Sequence, residues 1–544
     1  MRKSVFIIFL LFAFIPIKGS CQDVFQKMYG SSQGDQGYAI INSSDGNFVI
    51  SGSYETDGPG TSLYLLTKVT PTGDTLWVKT YGLRTDTSAT LSNRHSTLGL
   101  KSYGLVECAD NGYLLTGAAF EVSPHGEDDV YMVKTDSDGE LLWTKAYGGV
   151  SEDYGNSIAR TSDNGFIVGG VTESFDVSIR DGYVLRLDEF GDTLWTLTIG
   201  GSSLDEIKSI IETEEGDFIA TGSTYSSGAG NSDVSLVKIS SEGNIIWEKT
   251  YGGLDNDYGN EVLKTSTGYV IAGASLSFGF GEEDAYLISV DFDGNLLWSK
   301  SYGSDSFDGF NSIIDAIGGG YIMIGYTQSF GNLTDVLLIK TDDEGNLEWS
   351  KAYGGNGFEY GEGLLKTEDM GYLLVGYSRS FGSGSDDIYL IKIIDADQLK
   401  CNMNIPFLGE KSPETIVNTV TSTTSRNAAL TIPETIVGAS FINTTTECYS
   451  SLSIDNFSKS TDNSLVIYPN PSSGIIYIKS DEVGSNFSYD RVIVIDVIGQ
   501  EVLRVDSIIG QKIDLSALNT GVYTAIFYDS ERSVRIVKKL MISD

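Results

Sequence analysis

Carboxylates recur along residues 35–387 at fixed spacing, and these are the side chains whose type and pattern could form a site. One series is Asp35, Asp153, Asp205, Asp257, Asp308 and Glu359, with Ser102 standing in a seventh place. A second is Asp129, Asp181, Asp233, Asp284, Asp335 and Asp387. Such rows could serve a cationic ligand or divalent ions, or supply the acid pair of a glycosidase. A carboxylate repeated this regularly can equally cap backbone amides or tie neighbouring units together. No single pair stands out, so no catalytic residue is assigned. The two histidines, His95 and His125, belong to no Ser/His/Asp or metal-ligand arrangement. Asp136–Glu140 and Asp291–Asn295 resemble calcium loops but lack the glutamate that completes an EF-hand, so hairpin turns explain them better. No cofactor is evident, and calcium stays open.

The elements that must position these acids repeat. Asp284–Gly303, DAYLISVDFDGNLLWSKSYG, reads as two alternating strands about an Asp-Gly-Asn turn. Its tryptophan recurs at 77, 143, 195, 247, 298 and 349, which accounts for all 6 in the chain. A period near 50 in an all-strand pattern indicates propeller blades. Glycine turns at 46, 112, 165, 216, 268, 320 and 371 mark seven copies of the first hairpin. The missing seventh outer strand is at the front: Val24–Gly30 matches LLWSKSYG with Phe25 for tryptophan. An N-terminal strand completing the last blade closes a ring without a free edge. Both acidic series then fall on the face of the long links, with Phe175, Phe278, Phe330 and Phe381 and the insertion Leu83–Leu100 that holds His95. Sites favour long loops on rigid scaffolds, so the six acids of the first series are the candidate binding residues.

Composition agrees with export. Net charge is -38 from 36 basic and 74 acidic residues, which repels phosphate backbones and excludes nucleic acid as a partner. Arg2 and Lys3 precede an apolar run from Val5 to Ile17, too short to span a bilayer, so residues 1–21 read as a signal peptide. Cleavage is expected near Cys21, with lipidation of that cysteine a minority reading. No later stretch is transmembrane. Cys108 reads as a buried thiol, and Cys401 and Cys448, in an exported chain, as a disulfide. The domains expected are the propeller at 22–396, a Ser/Thr-rich connector at 397–461, and a second all-β domain at 462–544 whose short alternating strands indicate an Ig-like β-sandwich.

That last segment resembles the C-terminal sorting domain of type IX secretion substrates in Bacteroidota. The residues that carry the likeness are Tyr468, Pro469, Asn470 and Pro471 with Gly474, then Asp496 with Gly499 and Gln500. Asp514 and Leu515 with Gly521, Val522 and Tyr523 follow, then Lys538 and Lys539. The resemblance implies passage through the type IX machinery by way of residues 462–544, to the outer-membrane surface or the medium. The blades are similar to the YGG and DGGY repeats of secreted bacterial and archaeal proteins, which are propellers of unassigned activity. The expectation is a monomeric secreted or surface propeller that binds a glycan or protein ligand. The alternative is an extracellular polysaccharide hydrolase or lyase with its site on the acidic loop face.

Overall fold

A computed structural model describes residues 22–394 except 56–61, 84–100, 121–127, 176–178, 331–332 and 383–384, together with strand segments between 403 and 542. The signal segment with Cys21, the insertion with His95, His125, Cys401 and the sorting-motif residues Pro469, Asn470, Pro471, Gly474, Asp496, Gly499 and Gln500 lie outside the described residues. The chain divides into two compact units, one spanning residues 25–449 and one holding residues 450–544.

The first unit is a seven-bladed β-propeller. In blade three, Asp153–Arg160, Phe166–Thr172, Asp181–Leu187 and Thr193–Ile199 pair antiparallel from the inside outward. Inner strands carry a bulge near their start, as between Gly155 and Ser157, where small residues let the backbones approach. Gly170 shows how close: a Cβ there would lie 1.8 Å from the carbonyl oxygen of Tyr154. Blade seven takes Glu359–Lys366, Gly371–Ser378 and Asp387–Ile394 from the end of the repeat and Gln22–Gly30 from its start. Phe25 faces Lys392 and Tyr29 faces Ile388, so the N-terminal strand closes the ring.

The hydrophobic cores lie between blades. Val49, Tyr64 and Leu66 of blade one share a cluster with Leu105, Leu115 and Tyr131 of blade two. Where it is complete, the repeated Trp-x-Lys-x-Tyr clamps an outer strand to the next blade's outer turn, as between blades four and five. A Cβ on Gly294 of that turn would come within 3.0 Å of the Trp247 ring. Lys249 Nζ donates to Asn295 Oδ1 at 2.9 Å and Tyr251 Oη to the Gly294 carbonyl at 2.6 Å. Glycine is required there twice over, since Gly294 has φ of 72°. In blade three, where Leu197 and Ile199 replace lysine and tyrosine, Trp195 Nε1 donates to Ser241 O at 2.9 Å instead.

The Ser/Thr-rich segment does more than connect. Its short strands add a fifth, outermost strand to one blade after another, running backward round the disc. Met403–Asn404 joins blade six, Gly409–Lys411 blade five and Ile416–Thr419 blade four. Ala429–Thr431 joins blade two, Thr435–Gly438 blade one, and Asn443–Leu452 lies beside Gln22–Gly30 in blade seven. The belt satisfies backbone groups that would otherwise face water along six blade edges. The two ETIV copies dock in the same register, Val417 opposite Tyr251 and Val437 opposite Tyr81.

The second unit holds a three-stranded and a four-stranded antiparallel sheet. Tyr468 ends the strand Leu465–Tyr468, Gly521 and Tyr523 lie in Gly521–Asp529, and Lys538 and Lys539 lie opposite Ala525 and Thr524 in Val534–Ile542.

Candidate functional site

The acids of the first series stand below the surface of the long-link face. Asp35, Asp153, Asp257, Asp308 and Glu359 are 0% exposed and Asp205 is 4% exposed. Each caps the link that leads into its strand. Asp205 accepts the Gly201 amide at 2.9 Å and the Ser226 hydroxyl at 2.6 Å, while Thr224 donates to its other oxygen. Asp153 does the same with Gly149 and Ser174, Asp257 with Gly253 and Ser277, and Asp308 with Ser304 and Ser329. Asp35 accepts from Ser31, and Glu359 from Gly355 and Ser378. At least one oxygen of each is turned to the chain itself.

The second series meets the first across each blade boundary. The amide of Asp205 donates to the carbonyl of Arg180 at 2.8 Å, which sets Asp181 beside it. The same bond joins Asp257 to Ser232, Asp308 to Glu283, Glu359 to Thr334 and Asp35 to Asp386. The acids therefore stand in pairs at six boundaries: Asp387 with Asp35, Asp129 with Asp153, Asp181 with Asp205, Asp233 with Asp257, Asp284 with Asp308, and Asp335 with Glu359. Between blades one and two both places are serine, Ser62 and Ser102. Burial pushes the carboxyls of Asp35, Asp153 and Asp308 up to about 6, and burial with the facing Asp205 pushes Asp181 up to about 7. The loop phenylalanines are anchors: Phe175, Phe278 and Phe381 pack on Tyr183, Tyr286 and Tyr389.

What this layer supports is a ring of tyrosines round the mouth of the central channel. The residue after each capping acid or serine points inward, and there stand Tyr103, Tyr154, Tyr258 and Tyr360. Blade six has Gly309 at this place, and Tyr326 from its second strand fills the space. Blade one contributes Tyr38 from two residues further along, and blade four contributes Tyr225, whose hydroxyl lies 3.4 Å from that of Tyr258. Tyr377 of blade seven stacks on Tyr360 at 5.2 Å between centroids. A continuous arc results. Tyr103 lies 5.1 Å from Tyr38, Tyr38 lies 6.4 Å from Tyr377, and Tyr360 lies 6.0 Å from Tyr326.

Carboxylates punctuate the ring. Glu206 holds the tyrosine place in blade four, Tyr154 donates to Glu152 at 2.6 Å, and Tyr326 donates to Glu283. Glu362 is near enough to Tyr38, Tyr103 and Tyr377 for its charge to raise all three phenols beyond the effect of burial. At neutral pH these rings are neutral donors. One level down, Asn156, Asn260 and Asn311 tie inner strands together by donating to Ile207, Phe310 and Gly361 carbonyls. A tyrosine beside a repeated acid has no chemistry that sets it apart in the sequence, and its one signal there is the recurring acid-or-Ser, Tyr, Gly triplet at 102–104, 153–155, 257–259 and 359–361. Among the described residues, no group of three or more His, Cys, Asp or Glu is placed to hold a metal ion, and no helix is long and apolar enough to cross a membrane.

Comparison with known proteins bears on the two units separately. Residues 466–543 match the family model of the secretion system C-terminal sorting domain. Among curated proteins, the regulatory protein FlaEY of Caulobacter vibrioides is 25% identical over 171 residues, which are 27% of this chain and 18% of that protein. The chain thus spans less than a fifth of that relative. Among solved structures, PorZ, a surface component of the type IX secretion system of Porphyromonas gingivalis, is 10% identical with a TM-score of 0.30 over 95% of this chain and 75% of its own. A eukaryotic initiation factor is 10% identical with a TM-score of 0.26, over 59% of this chain and 96% of its own. Neither structural likeness bears on function. The chain is a seven-bladed propeller protein exported by type IX secretion to the cell surface or extracellular space, with its sorting domain at residues 466–543.

Proposed function

We propose that the propeller is a binding module that takes a glycan at the tyrosine-lined mouth on the long-link face. The observation that carries this reading is the arc of tyrosines from neighbouring blades, Tyr103, Tyr38, Tyr377, Tyr360 and Tyr326, with Tyr225 and Tyr258 meeting further round. Half-buried phenols offer flat apolar faces to the C–H side of a sugar ring and neutral hydroxyls to its oxygens. Asp35, Asp153, Asp205, Asp257, Asp308 and Glu359 act one layer beneath, holding the links that set the rim. A glycan array probed with the full exported chain, with and without calcium, tests the reading. Binding should fall at least about tenfold in Tyr360→Ala and Tyr103→Ala, the loss of one stacking face each. Retained binding in both variants would remove the rim from consideration.

The second reading, a polysaccharide hydrolase or lyase, draws on Glu283. Burial raises its carboxyl above the ordinary range while Tyr326 donates to it, a pairing suited to proton transfer. Turnover of a bound polysaccharide, lost in Glu283→Gln with binding kept, would favour this reading over binding alone.

A further inference from the structure

The rim has a charge of its own, and it is lopsided. Six carboxylates stand at or just behind the tyrosines: Glu152, Glu173, Glu206, Glu283, Glu362 and Asp386. Among the described residues three cations accompany them, and each is already held. Arg180 binds Glu173 at 2.7 Å with Glu152 3.7 Å away, Lys208 lies 3.0 Å from Glu206, and Arg379 binds Asp386. A ligand bearing phosphate, sulfate or carboxylate would meet net repulsion here. A neutral sugar could donate its hydroxyls to the acids but would leave their charge unmatched.

The chain itself shows what fits these rings. The Arg180 guanidinium lies 5.9 Å from the centroid of Tyr154, on its face, with Glu152 and Glu173 alongside. Arg379 sits over Phe358 at 5.7 Å while bound to Asp386. An aromatic face closed in by carboxylates is the standard environment for an ammonium or guanidinium group. Round the rest of the rim the same two components recur, Glu362 near Tyr38, Tyr103 and Tyr377, and Glu283 against Tyr326 and near Tyr258.

We infer that the ligand of the tyrosine rim is an amine-bearing saccharide, its ammonium group seated on a phenol face among Glu283, Glu362 and their neighbours. This rests on the glycan reading above and sharpens it. Stacking orients the sugar, while the carboxylates choose between a free amine and its acylated or hydroxyl counterpart, because only the charged group gains from both partners.

The test compares three oligosaccharides of one backbone geometry: β-1,4-linked glucosamine, its N-acetylated form, and cello-oligosaccharide, each titrated into the full chain at low and high salt. The free-amine oligomer should bind at least about tenfold more tightly than the other two, a margin that fades as salt rises. A chain of this net charge attracts polycations anywhere on its surface, so the margin must also vanish in Glu283→Gln with Glu362→Gln. Tyr360→Ala should weaken all three sugars alike. A margin that survives the double glutamine variant overturns the inference, as does equal or better binding of the acetylated or neutral oligomer with the tyrosine effect intact. Binding of no sugar, or binding indifferent to Tyr360→Ala, overturns the glycan reading with it.

Discussion

The phenol of Tyr251, on the outer strand of blade four, donates a 2.6 Å hydrogen bond to the carbonyl of Gly294 in the outer turn of blade five. Equivalent bonds run from Tyr29 to Gly73, Tyr81 to Gly139, Tyr147 to Gly191 and Tyr302 to Gly345. Tyr353 of blade six holds the same place at 0% exposure, yet its hydroxyl has no partner among the described residues. The cause is the ring closure. The fourth strand of blade seven comes from the N-terminal segment, so this blade lacks the hairpin between third and fourth strands whose carbonyl accepts in the other blades.

Tyr251→Phe should therefore destabilise the propeller by about 1–3 kcal/mol, because the Gly294 carbonyl loses a buried donor. Tyr353→Phe should be neutral or slightly stabilising, because it removes a hydroxyl that was desolvated without return. Urea denaturation of the two variants checks the contrast. Equal losses would refute the assignment of these bonds.

The boundary acids predict a pH dependence whose sign can be fixed. A carboxyl raised in the folded state favours folding when protonated, and that contribution is lost as pH rises through the folded value. For Asp35, Asp153, Asp308 and Asp181, pushed from 3.8 up to about 6 or 7, stability should fall as pH rises from about 4 to about 7. Asp163 acts oppositely: the Arg186 guanidinium lowers it to about 2, so its smaller, solvent-screened contribution is lost only in strong acid. The thermal unfolding temperature should be highest at about pH 4, and Asp181→Asn should flatten the fall between about pH 4 and about pH 7. A melting temperature that rises from about pH 4 to about pH 7 would contradict the buried pairs.

The belt begins on blade six at Met403 and ends on its neighbour, blade seven, in Asn443–Leu452. Cys401 precedes the first belt strand by two residues and Cys448 lies within the last, so a disulfide between them is expected to close the belt round the disc. The chain-entropy model gives such a loop about 4 kcal/mol. Peptide mapping without reductant should find the two cysteine peptides joined, while Cys108, a buried thiol pushed up to about 12, takes up iodoacetamide only after unfolding. Alkylation of Cys401 and Cys448 in the native, unreduced protein would dismiss the closure.

Removal of residues 466–543 should leave the propeller inside the cell envelope, since these residues match the sorting domain. Fractionation of cells expressing the truncated and full chains reads this directly, with surface or medium levels expected to drop to background. Surface display of the truncated chain would show a second export signal.

Sequence alone determined the disc. Strand alternation, glycine turns and the tryptophan period are local and repeated, so copies of one pattern gave the blade, the count of seven and the closure by Phe25–Gly30. The same register made the Trp-x-Lys-x-Tyr clamp legible as packing. Tertiary structure decided what the acids do. Asp181 and Asp205 are 24 positions apart and belong to different blades; only the ring sets them side by side, and only burial turns them from a surface row into a buried pair. It also decided the belt, because β-augmentation uses backbone groups that any sequence carries, and Ser, Thr and Asn say nothing about which edge they will join. The tyrosine rim lies between these cases. Its residues repeat in the sequence beside the acids, but a ring round a channel exists only once seven inner strands face one axis.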